Sequence, residues 1–473
     1  MLRRWPDRVY SRRSIDSQLM NCDSHLRVSV FYSLTIDGAK QMHNNSLHLL
    51  WNKVMKISEQ KNSLAKSKRA PASLLAAFLL FAVFVSGPFA FAQEQSDPRW
   101  VTTWSTSPST LPGEDDPDNS PQDQTLRLIV HSSVGGDSVR IRLSNAHGNE
   151  AIKIGAASIA LQSEGSSIQS GTSKSLQFAG QSSVSIPKGA VVFSDPLNYD
   201  LPETTNLSVS LYLPEDNGFL TAHALSNQTN YMSDDGDQTN SVNLAGRTET
   251  AAWPLLTAID VINTNSISAI AVVGDSITDG WGSTASANQR WPNHFTRRLF
   301  ADSGSKKYAV VNAGISGNRV TTQGNSLYGQ NLQARFERDV LALSNVTHMV
   351  LMEGINDIGM SPSGSLISAA QVIGGYRQVM ARAHARGIKV IGATLTPYEG
   401  AAYFTPEGEL VRQEINAFIR SGGEFDGVID FEKAVQDPAN PSRILPKFTE
   451  DNLHPNDAGY AAMANIVELH LFD

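Results

Sequence analysis

Ile270-Ala271-Val272-Val273-Gly274-Asp275-Ser276-Ile277-Thr278-Asp279-Gly280-Trp281-Gly282 is the stretch whose reading decides the fold. Its apolar, β-branched opening has no polar alternation, as expected of a strand buried on both faces in a parallel sheet. The run stops abruptly in Gly, Asp and Ser. In an open α/β sheet, ligands bind just beyond the carboxyl ends of the strands, which is where Ser276 falls. A serine there is either a helix cap or a nucleophile, and the residues around it have to decide.

Downstream of about Asn263, strand and helix patterns alternate. A helix is expected near Trp291–Phe300, a strand over Tyr308–Asn312 and another over His348–Met352. A helix then covers Ile367–Arg386 with Gly387 as its stop, and a strand covers Ile388–Ala393. Further on come a helix at about Leu410–Arg420, a short strand over Val428–Phe431 and a C-terminal helix over Asp457–Leu471. This alternation implies a parallel sheet covered by helices on both faces.

Upstream, from Arg99 to about Asn263, short strands are separated by Gly, Pro and Asp turns. Thr125–His131 and Ser138–Leu143 flank Gly135-Gly136-Asp137, which reads as a hairpin turn. Val184–Ile186, Ala190–Phe193 and Asn206–Leu213 are further strand candidates. The expected architecture is an antiparallel β-sandwich, jelly-roll-like, over 93–263, followed by an α/β domain over 264–473.

Further upstream, Lys66-Ser67-Lys68-Arg69 precedes an apolar run from Leu74 to Val85 that ends in Phe89-Ala90-Phe91-Ala92. That order is expected of a secretory signal peptide over 55–92, cleaved between Ala92 and Gln93. The alternative is a membrane anchor, but Pro71, Gly87 and Pro88 interrupt the run. Residues 1–54 are expected to be an unstructured or misassigned leader ahead of a true start at Met55. The protein is accordingly expected to be secreted or periplasmic, with no stable membrane anchor after cleavage.

The chain has 473 residues and a formal net charge of −8. Residues 1–92 hold 13 basic and 5 acidic side chains, which leaves 25 basic and 41 acidic in the remainder. A strongly acidic remainder argues against nucleic acid or an anionic membrane as partner. Cys22, the one cysteine, lies in the leader, so no disulfide or cysteine metal site is expected beyond it.

Four loops at apparent strand ends carry chemistry-bearing residues: Gly274-Asp275-Ser276, Asn312-Ala313-Gly314-Ile315-Ser316-Gly317-Asn318, Glu353-Gly354-Ile355-Asn356-Asp357 and Asp451-Asn452-Leu453-His454-Pro455. In a parallel sheet such loops open onto one edge. Acyl transfer needs this combination: a serine, a histidine to take its proton, an acid to hold the histidine's tautomer, and fixed donors for the oxyanion. His454 with Asp451 three residues earlier can supply base and acid. Backbone N–H groups of Ser276 and Gly317 and the Asn356 amide can supply donors. Each has a plainer alternative: caps for Ser276, Asn356 and Asp357, a turn for Gly317, a metal pair for Asp451 and His454. Asp275, Asp279 and Asp357 read as loop and cap acceptors. Thr278 breaks the Gly-x-Ser-x-Gly pattern, and the glycines lack dinucleotide-fingerprint spacing.

These four blocks, in this order, resemble the SGNH (GDSL-like) hydrolase family, with Ile277 in place of the eponymous leucine. The likeness runs from about Ser268 to Asp473. The region opening with Trp100-Val101-Thr102-Thr103-Trp104 also looks like the one preceding the catalytic domain in secreted bacterial GDSL-type esterases. The resemblance implies an SGNH/flavodoxin-like three-layer sandwich and a serine carboxyl ester hydrolase needing no cofactor or metal. Its catalytic residues would be Ser276, Asp451 and His454, and its oxyanion donors Ser276, Gly317 and Asn356. The expected substrate is a short-chain or acetyl ester, with small-molecule, lipid and acetylated-carbohydrate substrates all open. The alternatives are a lipase or thioesterase, and a carbohydrate-binding protein with a vestigial hydrolase domain, sugars stacking on exposed Trp or Tyr of the β-region.

Overall fold

The computed structural model describes residues 100–110, 121–265, 267–304, 306–325, 327–362 and 364–473. The expected leader, signal peptide and cleavage point lie outside the described residues. Among those described, no helix is long and apolar enough to cross a membrane.

The second half is built on a five-stranded parallel sheet. In spatial order its strands are Tyr308–Gly314, Ser268–Gly274, Val346–Met352, Lys389–Ala393 and Gly427–Ile429. Numbered along the chain this is 2-1-3-4-5, the flavodoxin-like doubly wound order. Ser268–Gly274 is central, and every residue of it is buried. Each fully buried Ile or Val there contributes about 1.5–3 kcal/mol. Register aligns Gly274 with Gly314 on one side and with Met352 on the other, so three loops leave the sheet at one level. The strand order reverses beside Ser268–Gly274, which opens a crevice at its carboxyl end.

Helix boundaries follow local chemistry. Ser368 and Gln371 form a reciprocal capping box, so the Ala369–His384 helix begins there and not at Ile367. Gly387, at φ 71°, ends it as expected, with the Ile388 N–H returning to the Ala383 carbonyl. The next helix begins at Pro406, four residues before the expected Leu410, because Thr405 caps it and proline suits its first turn. The C-terminal helix stops at Ile466, five residues short of expectation. Val467 is extended, and the following turn Leu469–Phe472 brings Phe472 back against Phe295 and His348.

The first half is antiparallel. One sheet runs Trp100–Ser105, Leu256–Ile262, Gly136–Ser144, Leu197–Leu201; another runs Thr248–Thr250, Asn230–Asp235, Gln124–His131, Asn206–Leu213, Ala156–Leu161, Lys174–Ser175. Leu128 and Val130 of one sheet and Val139, Ile141 and Leu143 of the other share an apolar core.

The expected hairpin at Gly135-Gly136-Asp137 is absent. Gln124–His131 and Gly136–Ser144 belong to different sheets, and their connection crosses between them. Neither Gly135 nor Gly136 has the positive φ that a tight primed turn requires. They are small for another reason: a Cβ on Gly135 would overlap the Leu201 carbonyl, and one on Gly136 the Ile262 carbonyl. The connection is tied instead to the first strand, where Thr103 Oγ1 donates to the Val134 carbonyl and accepts from the Val134 N–H.

Both halves lie within one compact unit, Ser96–Asp473, and share a continuous core. Polar ties cross between them: Ser105 Oγ to the Asn312 carbonyl (2.9 Å), Ser344 N–H to Thr102 Oγ1 (2.8 Å) and Arg335 Nη1 to Ser107 Oγ (3.1 Å).

Candidate active site

The strand ending at Gly274 turns directly into a four-residue helix, Ser276–Asp279. Asp275 caps it by accepting the Ile277 N–H (3.0 Å), and Gly280 closes it at φ 109°. Ser276 is the first helical residue, and its backbone N–H has no intrahelical partner. On Gly280 a Cβ would strike the Arg290 side chain, so glycine is required on both counts.

Ser276 Oγ lies 2.8 Å from His454 Nε2, and His454 Nδ1 lies 2.6 Å from Asp451 Oδ2. An ionised carboxylate only accepts, so Nδ1 carries the proton and Nε2 presents its lone pair to the serine hydroxyl. Asp451 Oδ1 also accepts the N–H groups of Leu453 (3.0 Å) and His454 (2.8 Å). Desolvation opposes ionisation of Asp451, but these bonds outweigh it and hold the carboxyl well below the usual range. Pro455 keeps His454 out of the helix, and Asn456 caps the helix that follows by accepting from Ala458 and Gly459.

Gly317 sits at φ 76°, and a Cβ there would land on the Tyr328 ring. Among the described residues, no partner takes its N–H. Asn356 Nδ2 donates one hydrogen to the Asn318 carbonyl (3.2 Å), while Tyr403 Oη donates to Asn356 Oδ1 (3.2 Å). Those two bonds fix the amide's orientation and leave its second N–H hydrogen over. Ser276, Gly317, Asn356 and His454 all line one cleft of about 290 Å³. The structure therefore brings together the residues expected to act jointly. Asp451 stands behind His454 and does not line the cleft.

The nearby acids are acceptors, as expected, but their work is larger than capping. Asp357 accepts Val320 N–H (2.7 Å), Thr321 N–H (3.0 Å) and Thr321 Oγ1–H (2.7 Å), pinning the asparagine loop to the glycine loop. Asp279 accepts from Ser316 N–H (2.9 Å) and Oγ (2.7 Å). Asp275 Oδ2 is buried without a partner, and desolvation pushes this carboxyl up to about 7.

Sequence reasoning missed three features. Arg335, fully buried, donates to the Gly274 and Ala313 carbonyls, to Asn318 Oδ1 and to Glu353, gathering three strand ends around one guanidinium. Burial pushes Glu353 up to about 8 against the pull of that guanidinium. Trp281, half exposed, meets His454 edge-on at 6.3 Å. Leu225 and His223 come from the antiparallel half: Leu225 lines the cleft, and His223 Nε2 lies 3.0 Å from Asp279 Oδ1. Two tryptophans of the antiparallel half, Trp104 and Trp253, are buried against each other at 5.1 Å and offer no exposed ring to a sugar.

Residues 272–462 match the model of the GDSL-like Lipase/Acylhydrolase family. This chain carries an SGNH (GDSL-like) hydrolase domain. The domain is of the carboxylic ester hydrolase type, as its family is. Solved structures similar to the hydrolase domain include a GDSL-like lipase from Bacteroides thetaiotaomicron, at 22% identity over 43% of this chain and 87% of that one, TM-score 0.31. Axe2, an acetylxylan esterase from Geobacillus stearothermophilus, is similar at 20% identity over 42% of this chain and 91% of that one, TM-score 0.33. The acetyl xylan esterase AlAXEase is similar at 23% identity over 42% and 96%, TM-score 0.33. No curated protein matches the chain in sequence.

Proposed function

We propose that this hydrolase cleaves short-chain carboxylic esters through an acyl-enzyme on Ser276, and that it works outside the cytoplasm. The observation that carries the reading is the 2.8 Å contact between Ser276 Oγ and a His454 whose tautomer Asp451 sets, within a cleft lined by oxyanion donors.

In the first step Ser276 Oγ attacks the acyl carbon while its proton passes to His454 Nε2. The carbonyl electrons move to oxygen, where the N–H groups of Ser276 and Gly317 and the Asn356 amide receive the charge. Collapse of the tetrahedral intermediate expels the alcohol, which takes the proton from His454. Water then attacks the acyl carbon, again giving a proton to His454, and the carboxylic acid leaves as Ser276 recovers its hydrogen. Losing one oxyanion donor typically costs about 10²–10³ in kcat.

The cleft supports a short acyl group. About 290 Å³ stands at the small end of ligand pockets. Leu225, Leu327, Met360 and Leu453 give it an apolar wall. Both features support acetyl or similarly short acyl groups. Export is supported by the basic, apolar and small-residue order ending at Ala92.

The test is a panel of aryl esters of increasing acyl length with the wild type and Ser276→Ala. The expected outcome is a preference for the shortest esters, and a loss in kcat on the order of 10⁴-fold or more in a variant that stays folded. Retained hydrolysis by Ser276→Ala sinks the assignment.

A further inference from the structure

One segment of the antiparallel half, His223 to Thr229, runs along the loop that follows Ser276. Ser226 accepts from the buried Arg290 guanidinium through its carbonyl. Asn227 Nδ2 donates to the Gly280 carbonyl (3.2 Å), the Ser283 carbonyl (3.2 Å) and Ser283 Oγ (2.7 Å), and the Thr229 N–H donates to Ser286 Oγ (2.9 Å). At the head of this segment, the buried His223 ring bridges two acceptors. Nδ1 lies 2.8 Å from the Ser107 carbonyl and Nε2 lies 3.0 Å from Asp279 Oδ1. A carbonyl and an ionised carboxylate accept only, so both ring nitrogens must donate, and His223 is an imidazolium. The other oxygen of Asp279 takes both the N–H and the hydroxyl of Ser316. Ser316 immediately precedes Gly317.

We propose that His223 is a positioning residue for ester hydrolysis. Paired with Asp279 as an imidazolium, it fixes the Ser316–Gly317 backbone so that the Gly317 N–H is held ready for the oxyanion. The idea rests on the reading of Gly317 as an oxyanion donor. It makes the antiparallel half part of the reaction machinery and not an attached binding module. A neutral His223 would turn a lone pair toward either Ser107 or Asp279 and release one end of the chain of bonds.

The groups facing His223 are Asp279, which favours its charge, Arg290, which opposes it, the Ser107 carbonyl, and the Trp253 ring at 5.7 Å. Burial disfavours the charged ring most, yet Asp279 and the two hydrogen bonds outweigh it, so its pKa lies above the ordinary histidine value. A raised histidine pKa keeps the pair intact at lower pH and loses it as pH rises through the folded value. The expected signature is a fall in kcat on the alkaline side.

The experiment measures kcat, KM and the pH profile on an aryl acetate for the wild type, His223→Gln and His223→Ala, with unfolding temperature recorded for each. For His223→Gln, kcat should fall about 10–100-fold with KM within about threefold, because the lost contact acts in the transition state. The alkaline fall of the wild type should vanish in that variant, and His223→Ala should be slower still. If His223→Ala does not fold, His223→Gln decides alone. A His223→Gln kcat within twofold of wild type, or a pH profile superposable on it, overturns the proposal. If Ser276→Ala is inactive while His223→Gln is normal, only this proposal fails; if Ser276→Ala is active, the reading beneath it fails.

Discussion

Two histidine–aspartate pairs flank the short helix that begins at Ser276, and they differ in almost every physical respect. His454 and Asp451 sit three residues apart in one loop, with the Asp451 side chain half exposed at 49%. His223 and Asp279 come from different halves of the protein, and their side chains are 2% and 5% exposed. The first pair presents a lone pair to a hydroxyl, and its carboxylate is open to solvent. The second has an acceptor at each ring nitrogen and is buried from solvent. A base must take up and give back a proton in each cycle, which suits a ring with one free nitrogen. A group that holds a loop in place does better when locked by two donated bonds. On the proposed reading, the same two residue types supply a base in one setting and a fixed cation in the other.

Breaking the exposed pair should have the largest effect. His454→Ala removes the acceptor for the Ser276 proton, and kcat/KM should fall on the order of 10⁴-fold with little change in stability. Asp451 adds a pH corollary. Its carboxyl is depressed in the folded state, so its contribution is present above the unfolded carboxylate pKa and is lost only as pH falls through the lower folded value. An acid fall in kcat/KM above about pH 5 therefore belongs to a group other than Asp451. A stopped-flow or steady-state profile from pH 5 to 9 checks both points, and an active His454→Ala would remove the contrast between the pairs.

The contrast also explains what could be read from the chain alone. Ser276, Gly317 and Asn356 each lie just past an apolar run, and Asp451 and His454 share one short loop ahead of a capped helix. Local pattern therefore located them. The parallel half was legible for the same reason, since Ala269–Gly274 and Met349–Met352 are continuous apolar runs. His223 and Asp279 are 56 positions apart, across the change from antiparallel to parallel structure, and no spacing rule joins them. Arg335 belongs to no motif, and the groups it binds, Gly274, Ala313, Asn318 and Glu353, come from other segments of the chain. The Gly135-Gly136-Asp137 error has the same root: the glycines answer to carbonyls of Leu201 and Ile262, which the local sequence does not display.

Arg335 ties the strand ends together, holding the Gly274 carbonyl on one side and Asn318, next to Gly317, on the other. Arg335→Met should destabilise the fold by about 3–5 kcal/mol, because Glu353 and Asp339 then lose a buried partner. Burial already raises Glu353 to about 8, so its neutral form is the one favoured in the folded state. In the variant, stability should recover partly as pH falls and Glu353 takes up a proton. Urea unfolding at pH 8 and pH 6 measures this. Equal losses at the two values would mean that Glu353 does not carry the pH dependence.

Leu225 tests the smallest and most specific consequence, that the antiparallel half shapes the acyl site as well as steadying it. Its side chain lines the cleft two residues after His223, in the same segment. It is only partly buried, so Leu225→Ala should cost little stability. Removing it enlarges the apolar wall, and a methylene in such a pocket is worth about 1–3 kcal/mol of discrimination. The partly open site should realise the lower end, so the butyrate-to-acetate ratio of kcat/KM should rise roughly three- to tenfold. The kcat on acetate should stay near wild type, since no oxyanion donor moves. His223→Gln should do the reverse, lowering kcat on both esters and leaving their ratio alone. If Leu225→Ala leaves the ratio unchanged, the segment only steadies the Ser316–Gly317 loop, and acyl length is set by Leu327, Met360 and Leu453 alone.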